Sequence, residues 1–102
     1  MPRYQLTDDA REDLREIKKY SLKQFGVLVT RDYLAGLQVC MQRLSENSKM
    51  GTSNTEGIDI KGLWHFIYVS HTIYYLPASH GITIVGILHQ SRLPDRLRLR
   101  GL

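Results

Sequence analysis

The sequence is defined first by what it lacks. Its 102 residues hold a single cysteine, Cys40. One thiol cannot close an intramolecular disulfide, so stability must come from a packed core, the usual situation in a reducing compartment. No apolar run approaches the roughly 18 residues that a membrane span needs. The opening stretch MPRYQLTDDA has no apolar centre of a secretory signal. The expectation is a soluble, cytoplasmic protein. With 42% apolar residues, the chain has the length for one domain over residues 1–102 and none to spare for a second.

Chemical signatures are equally scarce. The four histidines, His65, His71, His80 and His89, show no ligand spacing with one another or with Cys40, so no metal is expected. Neither a glycine-rich phosphate loop nor a GxSxG motif occurs, and no cofactor is expected. His71 and His80 fall at predicted turns, where a solvated imidazole is the default; His65 reads as structural on a strand face. Ser91 stands near His89 without an orienting carboxylate. His89 with Arg92 is the one pair that raises a catalytic question, since histidine can move a proton and arginine can hold a phosphate. RNA cleavage needs both an acid and a base, however, and no Asp or Glu falls between Leu63 and Gln90. No catalytic residue is assigned.

What is present is periodicity. Tyr4 to Leu6 reads as a short strand, and Thr7 as the N-cap of a helix with Asp8 and Asp9 in its first turn. Ala10, Leu14, Ile17 and Ser21 recur at helical spacing, and Gly26 is the natural stop. A second helix, from about Val27 or Val29 to about Asn47, carries Thr30, Tyr33, Leu34, Leu37, Cys40, Met41 and Leu44 in a 3-4 rhythm. Cys40 on that apolar stripe reads as an inert core thiol. Gly36 costs such a helix about 1 kcal/mol and needs a close neighbouring backbone to justify it. The two helices form an αα-hairpin, and Ser48 to Gly57 is a polar loop. From Leu63 the period becomes two. LWHFIYVS, HTIYYLP and ITIVGILHQ are three strands of an antiparallel meander, with Trp64 and Phe66 facing the core.

Charge is uneven. Residues 1–26 carry six Lys/Arg against five Asp/Glu, and residues 27–88 carry four of each. Residues 89–102 carry Arg92, Arg96, Arg98 and Arg100 against Asp95 alone, hence three of the four net positive charges. A basic end favours nucleic acid, an acidic protein surface or anionic lipid; a solvated tail is the alternative. Pro94, lacking an N–H, is expected to end strand pairing and leave the residues beyond it peripheral to the sheet, while Leu93, Leu97 and Leu99 could instead pin the tail (about 91–102) to the domain as a short helix or extended segment.

YQLTDDAREDLREIKKYSLKQFG, a helix containing YL and GL, IYYLP and VGILHQSRLPDRL together resemble the ParE toxins of type II toxin–antitoxin systems, from Tyr4 to about Leu99. The opening pattern is shared across the RelE/ParE superfamily; the strand ending Ile87-Leu88-His89 is the most specific piece. The resemblance implies an α+β fold, with a short N-terminal strand and an αα-hairpin packed on a small antiparallel β-sheet. RelE-like members are ribosome-dependent mRNA endonucleases with an arginine at the start of the middle strand and basic or tyrosine residues near the end. Here that middle-strand position is Thr72, Arg92 alone matches the basic set, and no tyrosine follows Leu76. ParE-like members act on DNA gyrase, trapping its cleaved-DNA state and blocking replication.

The resemblance therefore implies a non-enzymatic bacterial toxin that poisons gyrase with its bound DNA and is neutralised by a cognate ParD-like antitoxin in a toxin–antitoxin complex. His89, Arg92, Arg96, Arg98 and Arg100 become candidate target contacts. Leu14, Ile17, Tyr20, Tyr33 and Leu37 become candidate antitoxin contacts for an amphipathic segment docked in a groove, and each of them is equally compatible with plain core. The alternatives are a RelE-type endonuclease and a degenerate member that only binds an antitoxin.

Overall fold

A computed structural model describes residues 1–53, 60–92, 95, 97 and 100. The elements run β1 (Arg3–Leu6), α1 (Asp8–Glu46), a 3-10 turn (Ser48–Met50), β2 (Trp64–Tyr68), β3 (His71–Ala78) and β4 (Gly81–His89). Among the described residues, no helix is long and apolar enough to cross a membrane.

Thr7 starts α1 as its sequence requires: its backbone is extended and its Oγ1 accepts from the Ala10 N–H at 3.2 Å. A straight helix of 39 residues would run roughly 58 Å at 1.5 Å per residue. The molecule's longest extent is 37 Å, so α1 must fold back. It does so at Gly26, the one non-helical residue inside it, with φ 84° and ψ −177°. That conformation is nearly closed to residues with a side chain. The buried Thr30 hydroxyl lies 2.7 Å from both Gly26 O and Ser21 Oγ, tying the two limbs together just past the break. The expected helical hairpin is thus made by one residue.

The sheet order is β1-β4-β3-β2. β2–β3 and β3–β4 are antiparallel, which is the meander read from the sequence. β1 joins parallel to β4, with Arg3 opposite Gly81 and Leu6 opposite Ile84, so the sheet as a whole is mixed rather than antiparallel. Parallel pairing needs a long crossover between strands, and the hairpin with the meander behind it supplies one.

One sheet face packs under the hairpin: Ala10, Ile17, Leu37, Met41 and Leu44 meet Ile73, Tyr75, Ile82, Ile84 and Ile87, with Trp64, Phe66 and Tyr68 against them. The opposite face holds Leu63, Tyr74, Val85, Leu88 and Leu97. β4 is therefore buried on both sides, as its unbroken apolar run implies. Gly36 does have a reason, though not a neighbouring backbone: a Cβ there would collide with the Tyr68 hydroxyl.

Of the two expectations for the tail, pinning by leucine is the one met at Leu97. Leu97 is 0% exposed and belongs to the second cluster. Arg100 returns to the sheet and grips Asp13 with two hydrogen bonds, of 2.8 and 2.9 Å. The reason lies in β4. Register slips between Tyr74 and Tyr75, opposite Gly86 and Ile84, and leaves Val85 as an unpaired bulge just where β1 has run out. Arg100 Nη1 donates to Val85 O at 2.9 Å, and the Ile87 N–H donates to Asp13 Oδ2 at 3.0 Å. An ion pair completes the ladder where a strand is missing. Leu93, Pro94 and Leu99 lie outside the described residues.

Candidate functional site

At the C-terminal end of β4 a cleft of about 360 Å³ opens between the first limb of α1 and the sheet. The helix contributes Asp13, Glu16, Ile17 and Tyr20; β3 contributes His71; β4 and the residues after it contribute His89, Ser91 and Arg92. Register creates the central pair. His71 is the first residue of β3 and stands opposite His89, the last of β4. Their rings meet edge-on, with centroids 5.3 Å apart.

Each imidazole is held by a different partner. Tyr33 Oη lies 2.7 Å from His71 Nδ1 and also accepts from the Ser70 N–H at 3.4 Å. His71 is thus half-buried and anchored, not the solvated turn residue that its sequence neighbourhood suggests. Burial, reinforced by the neighbouring His89, lowers its pKa from 6.5 to about 4 against the smaller opposing pull of Asp13. At neutral pH the ring is uncharged. Burial likewise pushes the Tyr33 hydroxyl up. His89 is exposed, and its Nδ1 lies 2.8 Å from Ser91 Oγ and accepts from the Ser91 N–H at 3.1 Å.

Chemically the cleft offers an exposed guanidinium for a phosphate or carboxylate, flat ring surface from Tyr20 and the imidazoles, and the carboxylate of Glu16. Asp13 is already committed to Arg100 and to the Ile87 N–H. Among the described residues no group of His, Cys, Asp and Glu could hold a metal ion.

The fold brings some candidates together and separates others. His89 and Arg92, chosen as target contacts, share the cleft with Ile17 and Tyr20, chosen as antitoxin contacts. Tyr33 reaches the same place through His71. Leu14 is half-buried against the core, and Leu37, at 0% exposure, offers the free chain no surface. Arg100 sits in its ion pair with Asp13, while Arg96 and Arg98 lie outside the described residues. Cys40 is buried and its thiol pKa raised, chiefly by that burial.

Asp13 was missed, although a signal existed: it lies three residues after Ala10 and four before Ile17, on the buried stripe itself. A carboxylate there demands a buried cation. Also missed were the exposed apolar residues around Gly26.

Comparison with known proteins bears on what such a cleft is for. The family model described as the ParE toxin of type II toxin–antitoxin system, parDE, matches residues 4–94. Among solved structures, the chain is similar to one described as a chromosomal ParDE TA system from P. aeruginosa. The TM-score is 0.71 at 14% identity, covering 87% of this chain and 96% of that one. At that identity the likeness shows the fold. No curated protein matches the sequence.

Proposed function

This chain belongs to the ParE toxin family of type II toxin–antitoxin systems, and on that premise we propose that it acts in the cytoplasm by poisoning DNA gyrase, without catalysis of its own, and is silenced by a cognate ParD-like antitoxin. Gyrase caught with its DNA cleaved would expose phosphates and acidic surface, the partners that Arg92 beside His89 is suited to meet.

One observation carries the preference for gyrase over RNA cleavage. Thr72, at the position where the nuclease branch has an arginine, is buried between its strand partners Ile67 and Leu88. Threonine supplies no positive charge there, and the side chain is buried instead of offered to a substrate. The second reading, a RelE-type mRNA endonuclease, is favoured by the proximity of His71, His89 and Tyr33, which together could move protons.

Two assays run side by side separate them. Purified protein should inhibit supercoiling by gyrase and accumulate cleaved DNA, and should leave mRNA on translating ribosomes intact. Codon-associated cuts, with supercoiling unaffected, would establish the endonuclease instead. The Arg92→Gln variant should lose most gyrase inhibition at unchanged stability.

A further inference from the structure

β1 stops short of β4. Its last residue, Leu6, stands opposite Ile84, while β4 runs on to His89. Beyond Ile84 the β1 side of β4 faces α1 in place of a strand. The Arg100 guanidinium and the Asp13 carboxylate take the Val85 carbonyl and the Ile87 N–H there. Alongside them the cleft opens, with Glu16, Ile17 and Tyr20 on its helix wall and Ile87, Leu88 and His89 on its strand wall. Strand alternation sets what the strand wall offers. Ile87 turns its N–H to Asp13, so its carbonyl points the same way. His89, two residues on, does likewise, while Leu88 between them turns its own groups toward its β3 partner, Thr72. The His89 carbonyl is taken by the Arg92 N–H at 2.8 Å. Among the described residues, these bonds leave the Ile87 carbonyl and the His89 N–H to face the cleft.

An acceptor and a donor flanking one residue form the pattern that a parallel partner reads. In a parallel ladder a single residue donates to the carbonyl before its opposite number and accepts from the N–H after it. β1 already joins β4 in that direction. An antiparallel segment pairs with both groups of one residue, and Ile87 and His89 have each spent one of theirs. Charge then separates peptide from nucleic acid. Exposed Arg92 suits a carboxylate or a phosphate, but the helix wall carries the exposed carboxylate of Glu16. That group repels a polyanion and tolerates a peptide of mixed charge. A phosphodiester backbone also has no N–H to give the Ile87 carbonyl. We therefore infer that the cleft is a strand-acceptor slot for an extended segment of gyrase, lying parallel to β4. One residue of that segment is clamped between Ile87 and His89, and a neighbouring Asp or Glu meets Arg92. The inference rests on the gyrase reading above and names what the cleft meets there: acidic protein, not DNA phosphate.

The test follows the backbone of the full wild-type chain. Amide hydrogen exchange, quenched and read by mass spectrometry at single-amide resolution, is compared for the free chain, with gyrase and DNA, with DNA alone and with the antitoxin encoded beside it. The His89 amide should exchange at least about tenfold more slowly with gyrase, as a newly paired strand amide does, and unchanged with DNA alone. A His89 amide that gyrase leaves unchanged, or that only the antitoxin slows, or that DNA alone slows equally, overturns the inference. Glu16→Lys tests the choice of partner a second way. Its inhibition of supercoiling should not exceed that of wild type; a several-fold gain, as expected when a carboxylate stops repelling phosphates, also overturns it. Should that variant not fold, the exchange measurement, which alters no residue, carries the test. Inhibition of gyrase by the wild-type chain with His89 unprotected sinks the slot and leaves the gyrase reading standing. Failure of the wild-type chain to inhibit gyrase at all overturns both.

Discussion

Arg92 and Arg100 look alike in the sequence and are physically opposite. Arg92 is an exposed cation at the mouth of a cleft, whereas Arg100 is spent on Asp13, on the carbonyl of Val85 and, through Asp13, on the N–H of Ile87. Its guanidinium pKa is raised first of all by the hydrogen bonds to Asp13. Replacing Arg100 by glutamine leaves a largely buried carboxylate without a counter-charge, and should cost about 3 kcal/mol in urea unfolding. Arg92→Gln should stay within about 0.5 kcal/mol, since it touches no such feature. Removing all four tail arginines together would therefore confound binding with folding. His71 makes a separate prediction. The unfolded chain protonates it near pH 6.5 and the folded chain only near pH 4, so between these values the unfolded state binds more protons. Stability should fall as the pH is lowered through that window, with the full loss present below it. His71→Gln should flatten this part of the melting-temperature profile; an unchanged slope would place the acid sensitivity elsewhere.

At the scale of elements, local rules and distant contacts part company. The N-cap at Thr7, the stop at Gly26 and the change of period at Leu63 were legible because each depends on residues a few positions apart. The same holds for the two-sided burial of β4, which its apolar run announces. The parallel entry of β1 was not legible, because a strand of four residues carries no mark of its partner's direction. Nor was the bulge at Val85, or the ion pair across 87 positions that repairs it. The cleft shares this fate: His89 and Arg92 could be singled out, but His71 reached them through strand register and Tyr33 through hairpin packing. Gly26 offers the sharpest test of the hairpin. Space is open around it, so steric contact with neighbours is irrelevant, yet its backbone is one that side chains resist. Gly26→Ala should cost about 2 kcal/mol from backbone strain alone. A neutral result would mean that the reversal can be made with another conformation.

For the whole molecule, the notable property is unused apolar surface. The hairpin tip adds exposed Phe25, Val27 and Leu28, and the turn after β2 adds Val69, to a small domain whose two clusters are otherwise well filled. Such a protein should be markedly more stable in complex, because a ligand that binds only the folded state adds about 4 kcal/mol at a thousand times its Kd. Thermal unfolding with and without the neighbouring antitoxin checks this, and an unchanged melting temperature would contradict it.

The clasp between Asp13 and Arg100 also orders events in time. A ribosome adding 5–20 residues per second needs between about 4 and 17 s to travel from one partner to the other. Once β4 has emerged, the chain can form its helix and its meander, but until Arg100 follows the carboxylate of Asp13 has no counter-charge and the bulged carbonyl of Val85 lacks its guanidinium donor. A chain halted before Arg100 is a native-like body with an open seam, the kind of species that proteases and chaperones sort from finished product. Sealing of the fold is thus tied to the arrival of Arg100, and a ribosome stalled before that residue would deliver a loosely closed protein in place of a sealed one.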